Sequence, residues 1–287
     1  MQRDGIESGL GDRIGNYLMF AMLGEIYNKD IYTTWITDKC GGENTWSSQY
    51  PSNIFEYIQF PKRLKFVSKD EYSKLRYPHL HYRWVNYGLD QMPETIYKSL
   101  YEDGHITCSY SVMLTVYRNV CKELYYKKQL PDIYNERPCI IHLRRGDKGT
   151  DDSHNNRIIN IYDKLKTTYK TWIITTDGDL PDIIRNHIPG IIIPHFSPDN
   201  KVKTLEEFFL YSHASVIIQS IIGHGIYCGW SGFSYIPFQL GLSLYQKEEP
   251  LLISMSDDIE NTRLTHAREY ATRELYNISM YNTALTK

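Results

Sequence analysis

This 287-residue chain has no long apolar run, no surplus of basic charge and no paired cysteines. Without a stretch of ~18 apolar residues, no membrane-spanning helix is expected. The polar start Met1-Gln2-Arg3-Asp4-Gly5 also lacks the ~7–15-residue apolar segment of a signal peptide. A formal charge of −2 argues against a general nucleic-acid binder, which needs a basic surface. The five cysteines (Cys40, Cys108, Cys121, Cys139, Cys228) are odd in number, and no two stand at C-x-x-C spacing. Zinc and redox-pair chemistry therefore drop out, and reduced thiols in a cytoplasmic protein are expected. Alanine is scarce, at five residues against 32 isoleucines and 25 tyrosines. The tyrosines are spread along the whole chain, which fits a codon bias better than one aromatic groove, although Tyr suits both sugars and bases.

The second half has the clearer rhythm. Short apolar runs at 138–143, 171–176, 190–194 and 215–219 read as strands, and 160–169, 181–187, 204–213 and 233–244 as helices, with Thr204 as an N-cap. Continuously apolar strands alternating with helices predict a parallel α/β sheet covered on both faces. Ligands of such sheets bind beyond the carboxyl ends of the strands. In the first half, 15–26 reads as a helix and 31–36 as a strand. The segment 129–137, between Pro131 and Pro138, reads as a linker, so the domains are placed at 1–130, at 138–250, and in a helical tail at 251–287.

Three constellations could carry chemistry. His142-Leu143-Arg144-Arg145-Gly146-Asp147 ends a strand. Two adjacent guanidinium groups there call for an anion, and their planar forks suit a diphosphate. Gly146 permits a close backbone approach, and Asp147 can hold one arginine. On a surface, the same residues would make only an Arg–Asp network. Ser231-Gly232-Phe233-Ser234 opens an apolar helix, where backbone N–H groups favour anions, although a serine cap explains it equally well. Gly9-Leu10-Gly11-Asp12-Arg13-Ile14-Gly15 also opens a helix. It is only loosely like a dinucleotide fingerprint, and no apolar strand precedes it, as that fingerprint requires.

In this order, the three resemble the fucosyltransferase superfamily, which includes α-1,2-, α-1,6- and protein O-fucosyltransferases. His142–Asp147 matches its H-x-R-R-x-D motif, Ile173–Asp177 its strand ending in Thr-Asp, Ser231–Ser234 its S-x-F-S turn, and Gly9–Arg13 its glycine loop. The resemblance runs from residue 9 to about 244 and is poor over 40–130. It implies a GT-B-like fold, with two Rossmann-like domains facing a cleft and the parallel sheet in the C-terminal one. It also implies an inverting, metal-independent glycosyltransferase without cofactor. The donor would be a nucleotide-diphosphate sugar, GDP-fucose first and UDP-xylose as an alternative, and the acceptor a glycan or glycoprotein. Arg144 and Arg145 would neutralise the departing diphosphate. His142 would lie near the nucleoside and Asp177 near the base or ribose. Ser231, Gly232, Phe233 and Ser234 would line the diphosphate, with Asp147, Gly11 and Arg13 completing the donor set. Asp12 is the first candidate for general base, followed by Asp147 and Glu7. Animal members carry an anchor or signal, so this chain looks microbial or viral.

Two rivals make different predictions. Asp177-Gly178-Asp179 after a strand could hold a divalent cation in a GT-A enzyme, which EDTA would inactivate. A non-catalytic glycan-binding protein would bind sugars without nucleotides.

Overall fold

The computed structural model describes residues 1, 9–35, 51, 53–78, 101–102, 104, 106–143, 153–176, 178–192, 194, 196–220, 232–245 and 250–254, with the backbone alone at 153, 232 and 254. Residues 255–287 of the expected helical tail lie outside them.

The second half is a parallel sheet of β5 (Cys139–Leu143), β6 (Trp172–Thr176), β7 (Val216–Gln219) and β8 (Leu251–Ser254), in the order β6-β5-β7-β8. Ile192 forms a parallel bridge to Ile173, placing a further edge position beyond β6. The chain thus steps outward from β5 through β6 to 192, then returns across β5 to β7 and β8. The switch point falls between β5 and β7, where the chain first goes one way and then the other.

Each strand is buried on both faces because its side chains alternate between two cores. Cys139, Ile141 and Leu143, with Trp172, Ile174, Val216 and Ile218, pack under α4 (Ser153–Leu165) and α5 (Asp182–His187). Ile140, Ile173, Ile217 and Leu252 belong to the opposite core. That core is covered by α6 (Asn200–Ser212) and α7 (Gly232–Leu244).

The first half is built around α1 (Leu10–Ile26), a helix buried on nearly every side from Leu10 to Gly24. Beside it lies a parallel pair, β1 (Ile31–Thr33) and β3 (Leu64–Phe66). On the other edge of β1, the Met1 N–H₃⁺ donates to Asp30 O and the Tyr32 N–H donates to Met1 O, each at 2.8 Å. This is a parallel-strand pattern ahead of the glycine loop, where the sequence shows no apolar run. β2 (Ile58–Gln59) pairs antiparallel with β4 (Tyr125–Tyr126). Helix α2 (Lys69–Lys74) starts at a Ser68–Glu71 capping box, and α3 (Tyr110–Lys122) packs against α1 and α7.

Four expectations need correction. The helix predicted from Thr204 begins at Asn200, where the Asp199 carboxylate accepts from Lys201 N–H at 2.9 Å; Thr204 lies within it, its hydroxyl on Asn200 O. Of the strand predicted at 190–194, the described residues carry one parallel bridge, at Ile192. Leu251–Ser254, placed on sequence in a helical tail, forms β8. The 129–137 segment contains a 3₁₀ turn, Asp132–Glu136, whose Tyr134 ring is buried and whose hydroxyl donates to Glu206 O at 3.1 Å. One hydrophobic core runs from α1 and α3 through Tyr134 to α6 and α7. Cys108, Cys121 and Cys139 are free thiols, and burial pushes the Cys121 thiol up to about 12.

Candidate functional site

At the carboxyl edge of the sheet, one layer changes character. In register across β6, β5, β7 and β8, the row Ile173–Ile140–Ile217–Leu252 is followed, one step up on the same face, by Thr175–His142–Gln219–Ser254. Thr175, His142 and Gln219 are all buried. A polar row inside a core is unfavourable unless its groups are satisfied, so this layer is an investment in something other than packing. It sits at the switch point, at the carboxyl ends of β5 and β7.

Helix α7 closes the row from one side. His142 Nδ1 and Ser234 Oγ are 2.6 Å apart, joining β5 to the first turn of α7. Phe233 packs among His142, Phe208 and Tyr211, with ring centroids 5.7–5.9 Å apart. Helix α6 closes it from the other side. The Tyr211 hydroxyl donates to Glu207 Oε1 at 2.9 Å and is also bonded to Thr175 Oγ1. A phenol has one proton, so the Thr175 hydroxyl donates to Tyr211 and the chain runs Thr175 to Tyr211 to Glu207. The Tyr211 ring also lies 5.3 Å from His142. Beyond β6, Thr176 Oγ1 accepts from Gly178 N–H at 3.1 Å and sets the turn after the strand.

The glycine loop reaches the same place through helix packing. A Cβ on Gly15 would stand 2.8 Å from Ile236 Cδ1, so α1 and α7 touch at that glycine. Gly15 is the sixth residue of α1 and Ile236 the fifth of α7. Both amino ends therefore lie within ~8 Å, along their own axes, of the crossing. Gly9 caps α1 without a side-chain hydrogen bond, and Gly11, Asp12 and Arg13 form its first turn. Asp12 is exposed. Arg13 is buried, its guanidinium 4.9 Å from the centre of the Trp35 ring, a cation–π contact.

Of the residues singled out in the sequence, His142, Phe233 and Ser234 are in mutual contact, and Gly232 opens the same helix. Gly11, Asp12 and Arg13 sit one helix crossing away. Arg144, Arg145, Asp147, Asp177, Ser231 and Glu7 lie outside the described residues. Asp179, the described half of the D-x-D rival, is exposed beyond β6. Among the described residues, no group of three or more His, Cys, Asp or Glu side chains could hold a metal ion. No described helix is long and apolar enough to cross a membrane. Sequence reading missed Thr175, Gln219, Tyr211 and Glu207 as parts of the site. For Thr175 and Gln219 the available signal was a polar residue at the same step as His142 in largely apolar strands.

No protein-family model matches the chain, and no curated protein sequence does. Solved structures do. The α-1,6-fucosyltransferase NodZ soaked with GDP-fucose superposes with a TM-score of 0.52 at 14% identity, over 83% of this chain and 92% of that one. The fold is that of the GT-B fucosyltransferases. NodZ from Bradyrhizobium gives 0.51 at 14%, over 82% and 92%. POFUT1 in complex with GDP-fucose gives 0.50 at 10%, over 89% and 97%. At these identities the likeness concerns the GT-B architecture alone, and in this chain the parallel sheet with its polar row is the C-terminal half of it.

Proposed function

We propose that the chain is an inverting, metal-independent glycosyltransferase that moves a sugar from a nucleoside-diphosphate donor to a hydroxyl of a glycan or glycoprotein in the cytoplasm. The observation that carries this reading is the 2.6 Å link between His142 and Ser234. It brings the carboxyl end of β5, which leads directly into Arg144 and Arg145, against the amino end of α7 at the switch point of the sheet. A doubly wound sheet offers its ligand site there, and a helix amino end with two guanidinium groups suits a diphosphate. NodZ and POFUT1, which share the fold, have been solved with GDP-fucose. GDP-fucose is accordingly the first donor to test, and UDP-xylose the second.

In this reading the acceptor hydroxyl attacks the anomeric carbon in line with the departing diphosphate. Its proton goes to a carboxylate, Asp12 first, with Asp147 and Glu7 as alternatives, and the nucleoside diphosphate leaves with the bonding pair. Arg144 and Arg145 neutralise the charge growing on the β-phosphate, the interaction that strengthens most in the transition state. Asp147 orients the arginine pair. Ser231, Gly232, Phe233 and Ser234 line the diphosphate, His142 and Asp177 flank the nucleoside, and Gly11 and Arg13 close the cleft from the α1 side.

A thermal-shift panel of GDP, UDP and their sugars tests the proposal. A ligand at a hundredfold excess over Kd stabilises by about 2.7 kcal/mol. Arg144→Ala and Arg145→Ala are expected to abolish most of that shift and of transfer while leaving the unliganded Tm unchanged. Failure of both GDP and UDP to bind at millimolar concentration overturns the proposal. Loss of transfer in EDTA overturns its metal-independence.

A further inference from the structure

A cavity of about 370 Å³ opens on the first half of the chain, away from the polar row. It falls within the ~300–1,000 Å³ of small-molecule sites. Its walls are Phe55, Phe60 and Phe66, with centroids 4.9–5.8 Å apart, together with Ile58, Pro61 and Leu64. Among the described residues, its polar lining consists of Gln59 and three lysines, Lys62, Lys65 and Lys127, with no carboxylate.

The lysines are held in place. Lys62 Nζ stands 3.4 Å from both Glu25 and Glu123, and Lys65 Nζ donates to Lys62 O at 2.8 Å and lies 4.0 Å from Asp30. Lys127 differs. Its Nζ donates to a neutral group, the Phe55 carbonyl, at 2.8 Å, and its backbone N–H is fixed on Tyr57 O at 2.7 Å. Its ammonium is thus positioned beside an aromatic wall by partners that cancel none of its charge. Phe55, the ring next to it, is 40% exposed.

The same aromatic group connects to the glycine loop. Trp35 packs on Phe55, Phe60 and Phe66, with centroids 5.8–6.4 Å away, and on its own ring carries the Arg13 guanidinium. The cavity therefore lies along the wall that runs from the amino end of α1.

We infer that this cavity binds an acidic sugar unit, a pyranose bearing a carboxylate or sulfate, as part of the acceptor; the acceptor role rests on the glycosyltransferase reading above. A pyranose presents an apolar C–H face to aromatic rings and hydroxyls to Gln59, and its anionic group meets Lys127. Neutral sugars would use the aromatic walls and Gln59 without the charge contact.

Titration calorimetry on the full chain tests the inference with four probes: a glucuronyl disaccharide, its methyl ester, the glucosyl disaccharide of the same linkage, and that glucosyl disaccharide carrying a 6-sulfate. The glucuronyl or the sulfated probe is expected to bind at least fivefold tighter than the ester and the glucosyl disaccharide, and the tighter of the two identifies the acid. Lys127→Gln is expected to remove that advantage and Lys127→Arg to keep it. Phe55→Ala is expected to weaken all four probes. Equal binding of acidic and neutral probes, binding of none, or an undiminished advantage in Lys127→Gln overturns the inference. GDP titrated into the same wild-type sample separates the two readings. Binding of GDP without any acidic probe removes this site and leaves the enzyme; binding of an acidic probe without GDP or UDP keeps the site and removes the enzyme.

Discussion

The bond between His142 and Ser234 can be weighed directly by a double-mutant cycle. Ser234 is fully buried and His142 nearly so, and 2.6 Å separates Nδ1 from Oγ. Ser234→Ala takes one partner from a buried ring nitrogen, and His142→Leu takes one from a buried hydroxyl. Each single change leaves a desolvated polar group without this bond, at a cost of about 1–3 kcal/mol, whereas replacing both partners by apolar groups is nearly neutral for the pair. The double variant should therefore be about 2–6 kcal/mol more stable than the sum of the singles. At the ~2–4 °C per kcal/mol of mid-sized domains, each single should lower Tm by about 2–12 °C. Urea unfolding followed by circular dichroism, extrapolated linearly, gives the four free energies. Additivity within ~0.5 kcal/mol would refute the reasoning, because it would mean that β5 and α7 do not stabilise each other through this pair.

Three further perturbations have defined outcomes. Tyr211→Phe keeps the ring against His142 but deletes the hydroxyl between Thr175 and Glu207, so it should cost about 1–3 kcal/mol in urea unfolding and weaken nucleotide binding. Within α1, Gly24→Ala would place a Cβ 2.8 Å from the backbone oxygen of Lys29, whereas Gly15→Ala meets only side-chain atoms of Ile236. The first should lose about 1–3 kcal/mol through overpacking. The second should stay within ~1 kcal/mol of wild type, because the helix propensity of alanine offsets the contact; equal losses would overturn the distinction. Burial, and secondarily the Arg137 charge, hold the His213 imidazole below its ordinary value. Its neutral form therefore stabilises the fold above about pH 6.5, and this is lost as pH falls through the lower folded value. Melting at pH 7 and pH 5 should show a smaller drop for His213→Gln than for wild type.

Strands β5, β6 and β7 were legible because they are short isoleucine-rich runs buried on both faces; β8, in a stretch read as a helical tail, was not. The start of α6 was misread because Asn200, Lys201 and Lys203 are polar and disguise its first turn, while the actual cap, Asp199, stands before them. Tyr134 misled for the opposite reason: a single aromatic among prolines and charges looks like linker, yet burying one ring and bonding its hydroxyl is enough to fasten the segment. Within the site, His142 and Ser234 were found through motif order. Tyr211 and Glu207 belong to no motif, and their roles arise when a helix is laid on a sheet. Thr175 meets Tyr211 across 36 residues and His142 meets Ser234 across 92, separations that local periodicity cannot express.

The core that passes without a break from α1 and α3 through Tyr134 to α6 and α7 also bears on how the molecule comes apart. Two lobes with separate interiors could melt one after the other. Here the aromatic interior of the first half rests on the helices that cover the sheet of the second, so losing either exposes apolar surface of the other. Unfolding is expected to be cooperative across residue 130, with a single calorimetric transition, and the nucleotide site and the aromatic cavity would then gain or lose their framework together.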